Sequence, residues 1–161
     1  MAAALERARR LLPGLWAGWQ LCVALLATAS VFAVLPRAGA APVLARMLAQ
    51  EAYTSLALGI VLLVLERLAA RRAAQAGQGS QFSPGMVLAL GTLLCTVLGY
   101  FVIEPLMAAA RAGQGRWSFG ELHAASAAFF LVKLGLIGAL AWRALGPAPA
   151  RATAPAPSSS R

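Results

Sequence analysis

His123 and Lys133 are the only histidine and the only lysine in the chain, whose other 13 cationic side chains are all arginine. Both fall in one apolar segment, SFGELHAASAAFFLVK, residues 118 to 133. An imidazole can hydrogen-bond or coordinate a metal when neutral, and an ammonium within an apolar helix needs a partner or a function. At about 100° per residue, Ser126, Phe130 and Lys133 share a stripe with His123 that covers about 80° of arc. Two carboxylates, Glu51 and Glu104, stand at the ends of other apolar runs. Together with His123 they would suffice for a divalent metal or a proton-handling site. The same residues also fit an interfacial network of hydrogen bonds and ion pairs that includes Arg46 or Arg111. No cofactor is predicted, and a metal ion at His123 and Glu104 is the alternative.

The elements that must hold these groups follow from composition. With 60% hydrophobic and 12% charged residues and a mean hydropathy of +0.73, the chain lies far from soluble-domain usage. It reads as a membrane protein whose first partner is the lipid bilayer. The net charge of +9 does not point to nucleic acid, because the arginines sit at the ends of apolar runs rather than on a basic face interleaved with aromatics. Four runs, about 12–35, 52–69, 85–107 and 121–144, approach or exceed the length of about 20 residues that a spanning helix needs. In hydrocarbon every backbone polar group must be paired internally, so the fold class is all-α, a polytopic four-helix bundle.

Arginine placement orients the bundle. The first eleven residues, the end of the second run with the loop after it, and the C-terminal end hold nine arginines, and the other two connections hold four. The positive-inside rule then puts both termini in the cytoplasm of a bacterium, with the chain in the inner membrane. The expected organisation is a basic N-terminus over 1–11, a transmembrane domain over 12–145 and a disordered Pro/Ala/Ser-rich tail over 146–161. The first apolar run is longer than a signal peptide's and is expected to remain. Pro42 is read as a first-turn proline, and Glu51 as marking the outer start of the second helix.

Local signals refine the candidate site. Ser118 and Glu121 form an S-x-x-E capping box, with Trp117 and Leu122 placed for a hydrophobic staple. Thr92, Thr96, Tyr100 and Glu104 recur every four residues on the third run, beside a small-residue ridge of Gly91, Cys95 and Gly99 suited to close helix packing. Glu51, Glu104 and His123 are expected to meet on the periplasmic side, with Tyr100, Ser126 and Lys133 deeper on the same faces. Cys22 and Cys95 should occupy similar depths. Without a C-x-x-C they read as small hydrophobes rather than redox groups. Enzyme signatures such as a phosphate-binding glycine loop, H-E-x-x-H or G-x-S-x-G are absent, and a non-enzymatic role is favoured.

The segments FAVLPRAG, EAYTSLALGIVLLVLE, GYFVIEPLMAAARAG and FGELHAASAAFFLVK resemble the bacterial branch of the transmembrane-protein-205-like family, a membrane domain of unknown function. The resemblance spans about residues 12–145. Its most specific part is F-x-x-L-H-x-x-S, here Phe119, Leu122, His123 and Ser126, with Glu51, Pro105 and Met107 as lesser matches. It implies a four-helix membrane protein and names no ligand. The Ala-Pro pair common late in that family's first helix has no counterpart before Pro36, so a role for that proline does not carry over.

Three readings follow. The leading one is a membrane protein whose outer polar cluster binds a small ligand, an ion or a partner subunit. The second is a metal-handling or redox-accessory protein using His123 and Glu104. The third is a structural subunit of a homo-oligomer or membrane assembly, held by the Gly91, Cys95 and Gly99 ridge.

Overall fold

The computed structural model describes residues 2 to 146. The tail expected over 146–161 lies outside the described residues from 147 onward. Four helices are long and apolar enough to cross a membrane: α1 (Ala3–Val34), α2 (Arg37–Gln75), α3 (Pro84–Arg111) and α4 (Phe119–Ala144). They form an all-α bundle, with no strand among the described residues.

The helix ends have local causes. Leu35 and Pro36 separate α1 from α2, and both are extended, as a proline and the residue before it favour. Ser83 caps α3 by accepting from the Met86 N–H, with Pro84 at the first helical position. Ser118 Oγ accepts from the Glu121 N–H while the Glu121 carboxylate accepts from the Ser118 N–H, closing a capping box at the start of α4. Leu122 packs on Ile103 and Met107, whereas Trp117 is about half exposed.

Two helices reach further than their apolar runs. Helical structure starts at Ala2 and includes the basic residues before position 12, because Glu6 accepts from both Arg9 and Arg10 one turn on. Residues 2 to 11 of the basic N-terminal segment thus run continuously into the first apolar run as one helix. The second helix extends over 39 residues, about 58 Å at the helical rise against a hydrocarbon layer of about 30 Å. Pro42 lies inside it, past the first turn, and Glu51 stands about 21 Å from its start.

Two apolar clusters hold the bundle. Trp16, Leu62, Ile137 and Leu140 join α1, α2 and α4 in the half nearest the N-terminus, with Leu58 and Leu88 packed against them. Ile103, Met107 and Leu122 join α3 to α4 in the other half. Small residues set the close approaches. A Cβ on Gly59 would stand 2.7 Å from Leu93 Cδ2, and one on Gly91 would stand 2.9 Å from Leu136 Cδ1. Gly91 and Gly99 thus face α4 within the chain, at Leu136 and Phe129.

Candidate functional site

A charged pair lies deep in the bundle. Lys133 Nζ of α4 donates to Glu51 Oε1 of α2 at 2.6 Å, and the two side chains are only 5% and 8% exposed. Ser55 Oγ and Gln20 Nε2 donate to the same oxygen, each at 2.6 Å. Gln20 also donates to Ser55 Oγ at 3.0 Å. Three helices therefore converge on one carboxylate oxygen. An ionised carboxylate only accepts, which fixes the Gln20 amide with its nitrogen toward Glu51. Gln20 Oε1 is then left buried without a partner among the described residues.

Above the pair is a cavity of about 690 Å³, within the size range of small-molecule sites. Its walls come from the halves of all four helices nearest the α1–α2 and α3–α4 connections and are mostly apolar, including Leu44, Leu48 and Phe130. Small side chains leave the space: Ala24, Ala45, Gly99 and Ser126 line it where larger groups would fill it. Both α1 and α3 widen into π-helical stretches beside it, Cys22–Ala27 and Val97–Ile103. In α1 the widened turn is tied by Thr28 Oγ1, which donates to the Val23 carbonyl at 2.8 Å. Such stretches are rare and concentrate at functional sites.

The opposite end of the cavity carries a second polar group. Arg111 Nη1 lies 3.8 Å from Glu104 Oε1, and its guanidinium sits 4.8 Å from the centroid of Phe119. The Phe119 ring stacks on His123 at 5.7 Å. Tyr100 lines the wall below, edge-on to Phe101 and Tyr53.

The six candidate residues, His123, Glu104, Glu51, Ser126, Tyr100 and Lys133, all line this one cavity. They do not form one cluster. The expected meeting of Glu51 with Glu104 and His123 is not formed, because α2 begins about four turns before Glu51 and its carboxylate is bonded to Lys133. Lys133 is itself about 15 Å along α4 from His123. Nor does Lys133 extend toward a membrane surface; it is buried on its partner. Among the described residues no three His, Cys, Asp or Glu side chains lie close enough to hold a metal ion, so His123 and Glu104 lack a third ligand. Cys95 is buried and lines the cavity while Cys22 is exposed, and both are free thiols. Thr92 and Thr96 each donate a hydroxyl hydrogen to a carbonyl of their own helix; Tyr100 and the Arg111-paired Glu104 of that stripe line the cavity.

Gln20 and Ser55 were not expected at the site. A glutamine between Trp19 and Leu21 and a serine one turn past Glu51 are visible signals, but only the packing of α1 on α2 gives them a common target. A further network at the other end of the bundle joins Arg9 to Glu66 at 2.9 Å and to Glu6 at 2.8 Å. Arg9, counted in sequence as an orientation signal, thus also holds α1 to α2. All five acidic side chains of the chain are glutamates, and each has a hydrogen-bonding or cationic partner.

A family described as a domain of unknown function, DUF4149, matches residues 11–116. That range contains all of α2 and α3 and most of α1, and ends just before α4. No curated protein and no solved structure matches the chain.

Proposed function

The chain belongs to the DUF4149 family, and we propose that within it this protein is a non-enzymatic membrane protein that binds a small, largely apolar molecule in the cavity between its four helices. One observation carries the reading: a cavity of about 690 Å³ between helices long enough to span a membrane has apolar walls and a buried Lys133–Glu51 pair at its base. A bilayer offers no water to such a pair, so a polar base beneath an apolar chamber suits a molecule with an apolar body and a polar end. Arg111, Glu104 and His123 flank the other end and set the length of the occupant. The likeness of FGELHAASAAFFLVK to the transmembrane-protein-205-like family supports a shared membrane domain, with His123 and Ser126 on the cavity wall. Arginine placement supports the inner membrane, with both termini cytoplasmic and the cavity in the periplasmic half. A reporter fused after Arg161 that is active only in the periplasm would overturn that orientation.

Native mass spectrometry of the protein released from membranes tests the binding reading. A stoichiometric adduct is expected on the unmodified protein and is expected to disappear when Ser126→Phe or Ala45→Phe fills the cavity. No adduct, or one retained equally by both filled variants, refutes it.

A further inference from the structure

Resting on the cavity reading above, we infer that the occupant is an uncharged amphiphile whose headgroup both donates and accepts hydrogen bonds, as a hydroxyl does, and that this headgroup seats on Glu51 and Lys133. The arrangement of bonds at the base of the cavity carries this. Lys133, Gln20 and Ser55 all donate to Glu51 Oε1, and Oε2 takes none of those bonds. Nor is Oε2 among the buried side-chain atoms sealed without a partner, which in the described residues are Trp16 Nε1 and Gln20 Oε1. Glu51 and Lys133 both line the cavity. An ionised carboxylate accepts through both oxygens and an ammonium has three N–H groups. The pair therefore offers the cavity one free acceptor and donors that Glu51 does not use.

Charge decides the headgroup class. The cavity is lined by two cationic side chains, Lys133 and Arg111, and two carboxylates, Glu51 and Glu104, arranged as two opposed pairs. An anionic headgroup would have to draw Lys133 away from Glu51, and a cationic one would have to draw Glu51 away from Lys133. Either exchange leaves a buried charge without its partner in a low-dielectric setting. A hydroxyl donates to Oε2 and accepts from Lys133 while the pair stays intact. The apolar chain then lies along Phe130, Leu48 and Leu44.

The test uses three probes of equal chain length: decanol, decanoate and decyltrimethylammonium. Each is added to the full chain in phosphatidylcholine nanodiscs, and thermal unfolding is followed for the unmodified protein and for Ser126→Phe and Ala45→Phe. Decanol at ten times its Kd is expected to raise the Tm of the unmodified protein by about 3 to 6 °C, and to raise that of the filled variants by less than 1 °C. The two charged probes are expected to give no shift that depends on the open cavity. A larger cavity-dependent shift from either charged probe, an equal shift from all three, or none from decanol overturns the headgroup class. The mass-spectrometric adduct is read separately, so loss of the headgroup class is distinguishable from loss of the cavity itself.

Discussion

Breaking the Lys133–Glu51 pair on one side should destabilise the bundle far more than removing both charges. The two groups meet at 2.6 Å and are 5% and 8% exposed, so at an effective dielectric of about 20 their attraction is about 6 kcal/mol before desolvation is set against it. Desolvation consumes most of that gain, and the net worth of the pair against a neutral replacement is small. A single substitution is different, because it strands the remaining charge. Lys133→Met leaves Glu51 with only Gln20 and Ser55, and Glu51→Gln leaves Lys133 facing an amide. Each should cost about 3 to 5 kcal/mol, a fall in Tm of about 6 to 20 °C for a chain of this size. The double variant Glu51→Gln/Lys133→Met should be more stable than either single variant. Thermal unfolding of all four proteins in the same nanodiscs yields the coupling energy directly. Additive losses, or a single variant that costs less than about 1 kcal/mol, would mean that water reaches the pair and that the dry, low-dielectric base of the cavity is wrong.

Other substitutions separate packing from site. Gly91→Leu should lower stability by about 1 to 3 kcal/mol through overlap with Leu136, whose Cδ1 would lie 2.9 Å from a Cβ there. Gly99→Ala should change unfolding little, since its Cβ would meet only Phe129 at an ordinary 3.7 Å. Ser118→Ala removes the side-chain acceptor of the α4 capping box and should cost about 1 kcal/mol, measured by the same unfolding assay. Arg9→Met deprives the buried Glu66 of its cation and should cost about 1 to 3 kcal/mol, whereas Arg7→Met, with no acidic partner among the described residues, should be neutral within about 0.5 kcal/mol.

Much of the architecture was legible because membranes impose simple rules. An apolar run of about 20 residues has one stable backbone solution in hydrocarbon, and Ser83-Pro84 and Ser118-x-x-Glu121 announce helix starts through local hydrogen bonding alone. The stripes were legible for the same reason: His123, Ser126, Phe130 and Lys133 share a face by helical geometry before any neighbour is known. What lay on the opposing faces was not. The stretch from Pro42 to Arg72, free of further prolines, already reads as one long helix, and only its first turn, Arg37 to Ala41, was hidden, because Pro42 reads as a helix start although the helix runs through it.

The sequence by itself determined an all-α membrane chain, its four helices and the face on which each polar side chain lies, because these depend on transfer free energy and on the period of one helix. Tertiary structure alone decided which faces meet. Glu51 could have joined Glu104 and His123, or another cation, and every one of those pairings is chemically sound. Only the offset of α2 against α4 puts Lys133 within 2.6 Å of Glu51, brings Gln20 and Ser55 to the same oxygen and leaves an open chamber above them. Those distances depend on how helices far apart in sequence slide along one another, and no local period encodes that offset.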